Sequence, residues 1–220
     1  MSAAPDEKYP ENVENQWFVE PTFCTKLLLD VESFSGVTLD PACGQGNIVR
    51  TMIEAGVAGA FGSDLVQRTN EPWFLGCDDF LKPRLDGFAS RSPHNIVCNP
   101  PFFRAKGTEA FIRRALQLAS RKVAVFVETK FLAGQGRASG LFAELPPDRV
   151  WIITPRPSCP PGQFLLDGGS AEGGKSDACW LVWDLTLPIA LRGDTRLLWL
   201  RGEGKRQSKL RAQSEQQEAA

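Results

Sequence analysis

A short apolar run leads into a turn with two glycines at Val37-Thr38-Leu39-Asp40-Pro41-Ala42-Cys43-Gly44-Gln45-Gly46-Asn47. Apolar residues then recur at helical spacing over residues 48–55. A strand, a glycine-rich turn and a helix in this order are typical of a nucleotide-binding crevice at the carboxyl end of a parallel strand. Gly44 and Gly46 allow the backbone to pass close to a ligand, because a Cβ at either position would collide with it.

The chemistry of this turn narrows the class of ligand. It lacks the Lys-Ser/Thr pair of a phosphate-binding loop, and its glycine spacing is not the dinucleotide fingerprint. Asp40 opens the turn, and a carboxylate there would repel a pyrophosphate but attract an ammonium group. The turn therefore favours S-adenosylmethionine over a nucleotide polyphosphate.

A second motif, Asn99-Pro100-Pro101-Phe102, follows the run Asn95–Cys98. Proline cannot donate to a sheet ladder and biases the preceding residue to extended geometry, so a strand must end here. The turn presents an amide side chain, a backbone carbonyl and an aromatic ring, which together can hold a flat nucleobase that bears an amino group. Taken alone, the four residues also fit a purely structural strand exit.

The two motifs together resemble those of the amino-group DNA methyltransferases, and specifically the small phage-type adenine-N6 enzymes. The similarity covers roughly residues 17–184, with the matching segments in family order. It implies that the DPAxGxG turn binds the methionine half of S-adenosylmethionine and that the NPPF turn performs the chemistry. The catalytic residues that it implies are Asn99, Pro100, Pro101 and Phe102.

The same resemblance implies where the cofactor S-adenosylmethionine binds. Residues 17–21 would close over the methionine moiety, Asp64 would hold the ribose hydroxyls, and Asp79 with Phe80 would bind the adenine. The implied cofactor-binding residues are Trp17, Phe18, Glu20, Pro21, Asp40, Pro41, Ala42, Gly44, Gly46, Asn47, Asp64, Asp79, Phe80 and Asn99.

Two of these assignments have alternatives. Without its motif context, Asp64 would equally fit a helix N-cap or a solvated turn residue. Asp78 and Asp79 compete for the adenine-binding role. We assign it to Asp79, which directly precedes Phe80 as the family pattern requires, and we expect Asp78 to face solvent.

The NPPF turn suits the chemistry of adenine, whose amino group is a poor nucleophile because its lone pair is delocalised into the ring. If the Asn99 side-chain oxygen and the Pro100 carbonyl each accept a hydrogen from this group, the lone pair becomes localised and points at the sulfonium methyl. Phe102 would stack on the base and fix its plane. A base paired in a duplex must first be extruded. This chemistry needs no cysteine nucleophile, although Cys98 precedes the motif.

The pattern of strands and helices predicts an α/β fold. Helices are predicted at residues 21–31 and 110–118, and strands at residues 37–40, 60–64, 74–77, 95–98 and 123–127. This alternation indicates a mostly parallel sheet with helices on both faces. Strands at residues 150–154 and 178–184, the last one antiparallel, would complete the seven-stranded, Rossmann-like class I methyltransferase fold that the resemblance implies. Residues 197–200 are a candidate edge strand.

The length of 220 residues suits one α/β domain and is too short for two substantial ones. We expect a flexible arm at residues 1–16, a methyltransferase domain at residues 17–202 and a flexible polar tail at residues 203–220. No segment is long enough for a separate target-recognition domain. Recognition of a target sequence should therefore be brief or lax.

The net charge of −1 gives no global sign of a nucleic-acid partner, so contacts with DNA must come from local basic residues. The substrate-binding candidates are Arg104 after the NPPF turn and Arg156 and Lys175 near the ends of the loop at residues 155–177. A loop of that length is either disordered or functional. Two glycines make residues 132–137 a second candidate lid. Further basic candidates are Lys106, Arg113, Arg114 and Arg137.

The six cysteines form no Cys-x-x-Cys pair, and the single histidine, His94, has no partner at zinc spacing. We therefore expect reduced thiols and no metal site. No apolar run approaches the length that a bilayer requires and no secretory signal is recognised, so we expect a cytoplasmic protein without a membrane partner. The oligomeric state is left open.

The preferred interpretation is an S-adenosylmethionine-dependent DNA adenine-N6 methyltransferase of phage or prophage type. Enzymes that methylate structured RNA or a protein glutamine share the NPPF turn, but they more often open the glycine motif with Asp-Leu-Gly. Cytosine-N4 enzymes tend to carry Ser-Pro-Pro at the turn. A catalytically inactive nucleic-acid-binding relative is the last alternative, and it would have no reason to keep Asp40, both glycines and Asn99.

Overall fold

The computed structural model describes residues 15–82, 93–102, 106–171, 173–174 and 176–202. The strands in this part are β1 (Thr38–Asp40), β2 (Ala60–Asp64), β3 (Phe74–Cys77), β4 (Asn95–Cys98), β5 (Lys122–Glu128), β6 (Arg149–Thr154), β7 (Ala178–Asp184) and β8 (Arg196–Arg201). The α-helices are α1 (Thr22–Leu29), α2 (Asn47–Glu54), α3 (Lys106–Leu118), α4 (Gln135–Ser139), α5 (Leu141–Glu144) and α6 (Gly162–Leu166). Short 3₁₀ helices cover Thr129–Ala133 and Ile189–Leu191.

The strands form one sheet in the order β3-β2-β1-β4-β5-β7-β6-β8. Strands β1 to β5 run parallel to one another. Strand β7 runs antiparallel to both β5 and β6, and β8 runs parallel to β6. The mostly parallel sheet with an antiparallel late strand is therefore confirmed. The predicted count of seven is short by one, because the candidate edge strand forms as β8 and pairs with β6 over its whole length.

Helices cover both faces of this sheet, as the sequence predicts. On one face, α1 and α2 pack through Leu28 and Met52 against Val97 and Trp180. On the other face, α3 packs through Ile112 onto the alternate residues of the same strands. Strands buried on both faces lose their alternation of polar and apolar residues, which explains the continuous apolar runs.

The parallel strands give the sheet two chemically different edges. Because β1, β2, β3 and β4 are parallel, their carboxyl ends and the turns that follow them lie at one edge. The opposite edge carries a group of side chains that we call the amino-edge network, and it consists of Glu32, Lys122, Arg149, Trp151 and Asp184. The carboxyl edge contains the predicted site.

Candidate active site

The glycine-rich turn follows β1 and holds its shape through backbone geometry that only glycine adopts readily. Gly44 and Gly46 have φ angles of 54° and 87°. A Cβ on Gly46 would lie 2.1 Å from the ring of Trp73, so a larger residue is excluded on two grounds. Asp40 is buried at the start of the turn, and its Oδ1 accepts a hydrogen bond from the backbone N–H of Ala42 at 3.0 Å.

Asp64 at the end of β2 holds the glycine-rich turn in place. Its Oδ2 accepts a hydrogen bond from the N–H of Gly44 at 2.8 Å. Its Oδ1 accepts hydrogen bonds from the N–H of Val66 at 3.1 Å and from Nη1 of Arg68 at 2.6 Å. A carboxylate offers about four acceptor positions, so roughly one is left for a ligand hydroxyl. Arg68 was not predicted as a site residue.

Residues 17–21, which we call the strap, cross the site and connect to the loop before α6. Phe18 pairs with Pro161, and the N–H of Val19 donates to the carbonyl of Pro160 at 2.9 Å. The N–H of Gly162 donates to the carbonyl of Trp17 at 2.8 Å. The long loop at residues 155–177 is thus organised at its centre, where it forms α6 and joins the strap.

The indole of Trp17 fills the space between two glycines. A Cβ on Gly44 would lie 3.0 Å from this ring, and a Cβ on Gly162 would lie 1.9 Å from it. The guanidinium of Arg68 lies 4.3 Å from the ring centroid, which is within the range of a cation–π contact. The buried Nε1 of Trp17 has no hydrogen-bond partner in the described ranges.

The NPPF turn meets the strap at Asn99. Its Nδ2 donates to Oε2 of Glu20 at 2.8 Å and to the carbonyl of Phe18 at 3.2 Å. Its Oδ1 is buried and has no hydrogen-bond partner among the described residues. Since both contacts of the nitrogen are acceptors, the amide oxygen is the group left for a ligand. The strap is also joined to the glycine-rich turn, because Nδ2 of Asn47 donates to the carbonyl of Glu20 at 3.0 Å.

The site contains two buried acids that are not neutralised. Glu20 is buried, and burial raises its pKa to about 7, although the hydrogen bond from Asn99 acts in the opposite direction. Burial also raises the pKa of Asp40 well above its usual range, and the nearby charges of Glu20 and Asp64 add to the effect. No basic side chain contributes to either shift in the described part of the chain. The site therefore favours a ligand that carries positive charge.

Burial raises the pKa of the thiols near the site. All six cysteines are free. Burial raises the pKa of Cys98 well above its usual range, and the charges of Asp40 and Glu20 reinforce this. A thiolate at this position is disfavoured, which agrees with the expectation that the chemistry needs no cysteine. The described residues contain no group of three or more potential metal ligands.

The end of β3 corrects one expectation. Asp78 was expected to face solvent, but it is buried, and its N–H donates to the carbonyl of Asp64 at 2.9 Å. The register between β2 and β3 shifts just before this point, which turns Asp78 inward. Asp79 is partly exposed and forms an ion pair with Lys82 at 3.0 Å. The ring of Phe80 is buried, with its centroid 4.9 Å from that of Phe111.

Three of the basic candidates, Arg113, Arg137 and Arg156, have contacts within the protein. Arg156 pairs with Asp177 at 2.6 Å, and both side chains are more than half exposed. Arg137 stacks over Phe131, with the guanidinium 4.4 Å from the ring centroid. Arg113 forms ion pairs with two glutamates. Arg104 and Lys175 lie outside the described residues, as does the side chain of Lys106.

Comparison with protein-family models and with curated protein sequences finds no match. Among solved structures, a protein assigned as a class I S-adenosylmethionine-dependent methyltransferase from Listeria monocytogenes matches with a TM-score of 0.54 and 13% identity. The match covers 87% of this chain and 66% of that one. The chain has the Rossmann-like class I methyltransferase fold.

Two further structures share this fold. One is assigned as the modification subunit of a type I restriction enzyme from Vibrio vulnificus, with a TM-score of 0.60, 14% identity and coverage of 88% of this chain and 49% of that one. The other is assigned as an RNA methyltransferase from Pyrococcus horikoshii, with a TM-score of 0.52, 11% identity and coverage of 74% and 81%. The chain thus spans about two thirds of the Listeria structure and half of the Vibrio structure.

The described helices include none that is both long enough and apolar enough to cross a bilayer.

Proposed function

We propose that the protein is an S-adenosylmethionine-dependent methyltransferase that acts on the N6 amino group of adenine in DNA. The observation that carries this proposal is the amide of Asn99, whose nitrogen is fully used by two acceptors while its buried oxygen has no partner in the described ranges. A buried acceptor without a donor is costly unless a ligand supplies one. An exocyclic amino group supplies such a donor.

The residues at the carboxyl edge fit the proposed cofactor. Asp40 and Glu20 form an acidic, buried surface beside the glycine-rich turn, and this surface suits the cationic methionine end. The remaining acceptor position of Asp64 suits a ribose hydroxyl, and Asp79 with Phe80 borders the predicted adenine position. Trp17, Phe18 and Pro21 belong to the strap that crosses the site, and Pro41, Ala42 and Asn47 belong to the glycine-rich turn and the start of α2.

When bound, S-adenosylmethionine supplies an activated methyl group. The protein's part is to localise the lone pair of the attacking nitrogen. Asn99 Oδ1 and the carbonyl of Pro100 accept the two amino hydrogens, and Phe102, which is half-buried, stacks on the base. Pro101 supports this turn, because its carbonyl accepts a hydrogen bond from the hydroxyl of Thr108 in α3 at 3.2 Å.

DNA is the preferred substrate, and RNA is the second candidate. The Vibrio modification subunit shares the fold with the highest of the three TM-scores, and the Asp40-Pro41-Ala42 start of the glycine motif resembles DNA adenine enzymes. The Pyrococcus RNA methyltransferase shares the same fold at 11% identity, which keeps RNA as a candidate. Arg104, Arg156 and Lys175 remain the proposed substrate contacts.

Binding and transfer can be tested separately. Calorimetry with S-adenosylmethionine and its demethylated product should give micromolar affinity, and either ligand should raise the melting temperature. Labelled cofactor incubated with DNA, structured RNA or ribosomal protein, followed by nucleoside analysis, should yield N6-methyladenine in DNA. If the protein does not bind cofactor at millimolar concentration, it is not an S-adenosylmethionine-dependent enzyme. If label appears in RNA alone, RNA is the substrate and DNA is not.

Asn99→Ala removes the unpartnered acceptor and should lower turnover by about 10²–10³-fold, since its hydrogen bond matters mainly in the transition state. Cofactor affinity should change little. Asn70→Ala is a matched control, because Asn70 is exposed and its side-chain oxygen accepts a hydrogen bond from Gln67. Near-normal turnover of Asn99→Ala would show that the role proposed for this amide is wrong.

A further inference from the structure

We propose that Glu20 is a positioning residue that fixes the orientation of the Asn99 amide. The inference rests on the proposed function and adds a requirement to it. An asparagine amide has an oxygen and a nitrogen of nearly the same shape, and only the oxygen can accept a hydrogen from an amino group. A site that depends on the oxygen must therefore prevent the amide from turning over.

Two hydrogen bonds of the Asn99 nitrogen prevent the amide from turning over. Its Nδ2 donates to Oε2 of Glu20 at 2.8 Å and to the carbonyl of Phe18 at 3.2 Å. Rotation of the amide by 180° would place Oδ1 against these two acceptors, lose both hydrogen bonds and aim a donor at the substrate amino group. The carbonyl of Phe18 contributes at any pH, whereas the carboxyl of Glu20 contributes only as an acceptor.

The strap holds Glu20 in place independently of Asn99. Nδ2 of Asn47 donates to its carbonyl at 3.0 Å, and the preceding residue, Val19, donates its N–H to Pro160 at 2.9 Å. Glu20 itself is 5% exposed. Because the Glu20 carboxyl is buried and its backbone is anchored, it can hold the Asn99 amide in one orientation.

The protonation state of Glu20 decides whether its carboxyl fixes the orientation of the Asn99 amide. As a carboxylate, it only accepts and enforces the observed orientation. As a neutral acid, it carries an O–H that can donate to Oδ1 of a turned amide, so Glu20 no longer distinguishes the two orientations and only the carbonyl of Phe18 still does. Burial raises the pKa of Glu20 to about 7. Turnover should therefore rise with pH through the neutral range.

The titratable groups that face Glu20 in the described part of the chain include no base. They are Asp40 from β1, Cys24 from α1, Cys98 from β4 and Cys159 from the loop before α6. Burial raises the pKa of all three thiols, so they stay neutral in this range. Asp40 is the one neighbouring acid in this set. Its own titration should be visible in cofactor affinity, which is measured separately. The chain's single histidine, His94, lies at the other edge, where its Nδ1 accepts the N–H of Val37.

The kinetic test compares the parent with Glu20→Gln, which keeps the shape but can offer either a donor or an acceptor to Asn99. At saturating cofactor, the parent kcat should be lower below a midpoint near 7 than above it, and it should level off at low pH because the carbonyl of Phe18 still contacts the amide nitrogen. Glu20→Gln should have a kcat roughly 10–100-fold lower at pH 8, with no inflection between pH 5.5 and 8.5. Because kcat is measured at saturating cofactor, this loss is separated from the weaker cofactor binding that we expect when the acidic surface loses one charge. Glu54→Gln, the same change at an exposed position in α2, should match the parent.

A second readout needs no activity. The side-chain ¹⁵N–H₂ signals of Asn99, identified by their loss in Asn99→Ala, should shift with pH in the parent with a midpoint near 7 and should not shift in Glu20→Gln. If Glu20→Gln does not fold, the parent titration alone still decides. A parent amide that does not respond to pH, or a Glu20→Gln enzyme with the parent kcat and pH profile, would overturn the proposal.

These outcomes separate the two claims. A protein that transfers methyl groups while Glu20→Gln behaves like the parent keeps the proposed function and loses the positioning role. A protein that transfers no methyl group, but whose Asn99 amide titrates with Glu20, keeps the contact and loses the proposed function.

Discussion

Each edge of the sheet contains a pair of buried acids, and the surroundings treat the two pairs in opposite ways. At the carboxyl edge, Glu20 and Asp40 have raised pKa values because burial is not offset by any base in the described residues. At the amino edge, burial acts on Glu32 and Asp184 as well, but hydrogen bonds and nearby cations lower their pKa values overall. The acids at the amino edge are stabilised in their charged form, whereas ionisation of the acids at the carboxyl edge costs free energy.

The amino-edge network shows how complete the compensation is. Glu32 is 4% exposed and accepts hydrogen bonds from Nζ of Lys122 at 2.7 Å, from Nε1 of Trp151 at 3.0 Å and from both Nε and Nη2 of Arg149. Lys122 and Arg149 also contact Asp184 at 3.6 Å and 3.3 Å. Buried ion pairs of this kind rarely add much net stability, but breaking one is expensive. Glu20 and Asp40 at the site lack a cationic partner among the described residues, whereas Glu32 and Asp184 in the scaffold have two. Asp64, which pairs with Arg68, is the site acid that does not follow this division.

The sharpest way to break the comparison is Glu32→Gln. Removing this carboxylate leaves Lys122 and Arg149 partly buried with less negative charge beside them. The free energy of unfolding at pH 7 should therefore fall by about 3–5 kcal/mol. Urea denaturation measures this directly. Glu144→Gln, which removes the exposed partner of Arg113, should cost at most about 1 kcal/mol and serves as the control. Equal losses from the two variants would show that the amino-edge network is not a special element of the scaffold.

The matching change at the other edge should have the opposite sign. Because the pKa of Glu20 rises from 4.5 to about 7 on folding, its ionisation in the folded protein costs about 3 kcal/mol. The stability that the protonated Glu20 contributes is fully present below about pH 4.5 and is lost as the pH rises through 7. Glu20→Gln should therefore be more stable than the parent at pH 8 by up to about 3 kcal/mol, or roughly 5–10 °C in Tm.

At pH 5 the gain should shrink to less than about 1 kcal/mol, because Glu20 of the folded parent is then protonated and only the unfolded parent still loses this proton. A gain of the same size at both pH values would point to a packing effect and not to the charge. If the variant is more stable but turns over slowly, the site trades stability for function.

A smaller effect should appear in acid. The pKa values of Glu32 and Asp184 are lowered in the folded protein, so the stability that they contribute is present above their ordinary pKa values and is lost as the pH falls through the folded values. The parent should therefore lose stability below about pH 4, and Glu32→Gln should show a shallower loss. Thermal melts between pH 2.5 and 5 measure the slope. An unchanged slope in the variant would assign the acid limb to other carboxyls.

The smallest effect on stability concerns Arg156, whose ion pair with Asp177 is largely exposed. Arg156→Ala should change stability by less than about 1 kcal/mol, because exposed pairs contribute little. If Arg156 contacts DNA, methylation should fall without a change in cofactor binding, and the defect should deepen as salt rises. Arg104→Ala and Lys106→Ala in the same salt series show which position carries the contact. A normal Arg156→Ala beside a crippled Arg104→Ala would move the contact to the segment after the NPPF turn.

The sequence predicts the carboxyl edge better than the amino edge for a physical reason. The turn at residues 40–47 and the NPPF turn carry their signals locally, in glycine, proline and the strands that precede them. The amino-edge network has no local signal, because Lys122, Arg149 and Asp184 meet only through sheet register. Glu32 reaches them from the segment between α1 and β1. The same limit explains Asp78, whose direction depends on a register shift between β2 and β3. It also explains why the contact between the Glu20 carboxyl and Asn99 has no signal in the sequence.

The strap has a consequence for the order in which the molecule assembles. Asn99 lies 81 residues beyond its contact Phe18, and Pro160 and Gly162 lie farther still along the chain. Contacts so distant in sequence carry a large loop-closure cost, so they form after the sheet that brings their ends together. The strap should therefore dock last and open first. Its amide protons should exchange with solvent through local opening, while those of β5 and β7 should exchange only when the whole domain unfolds.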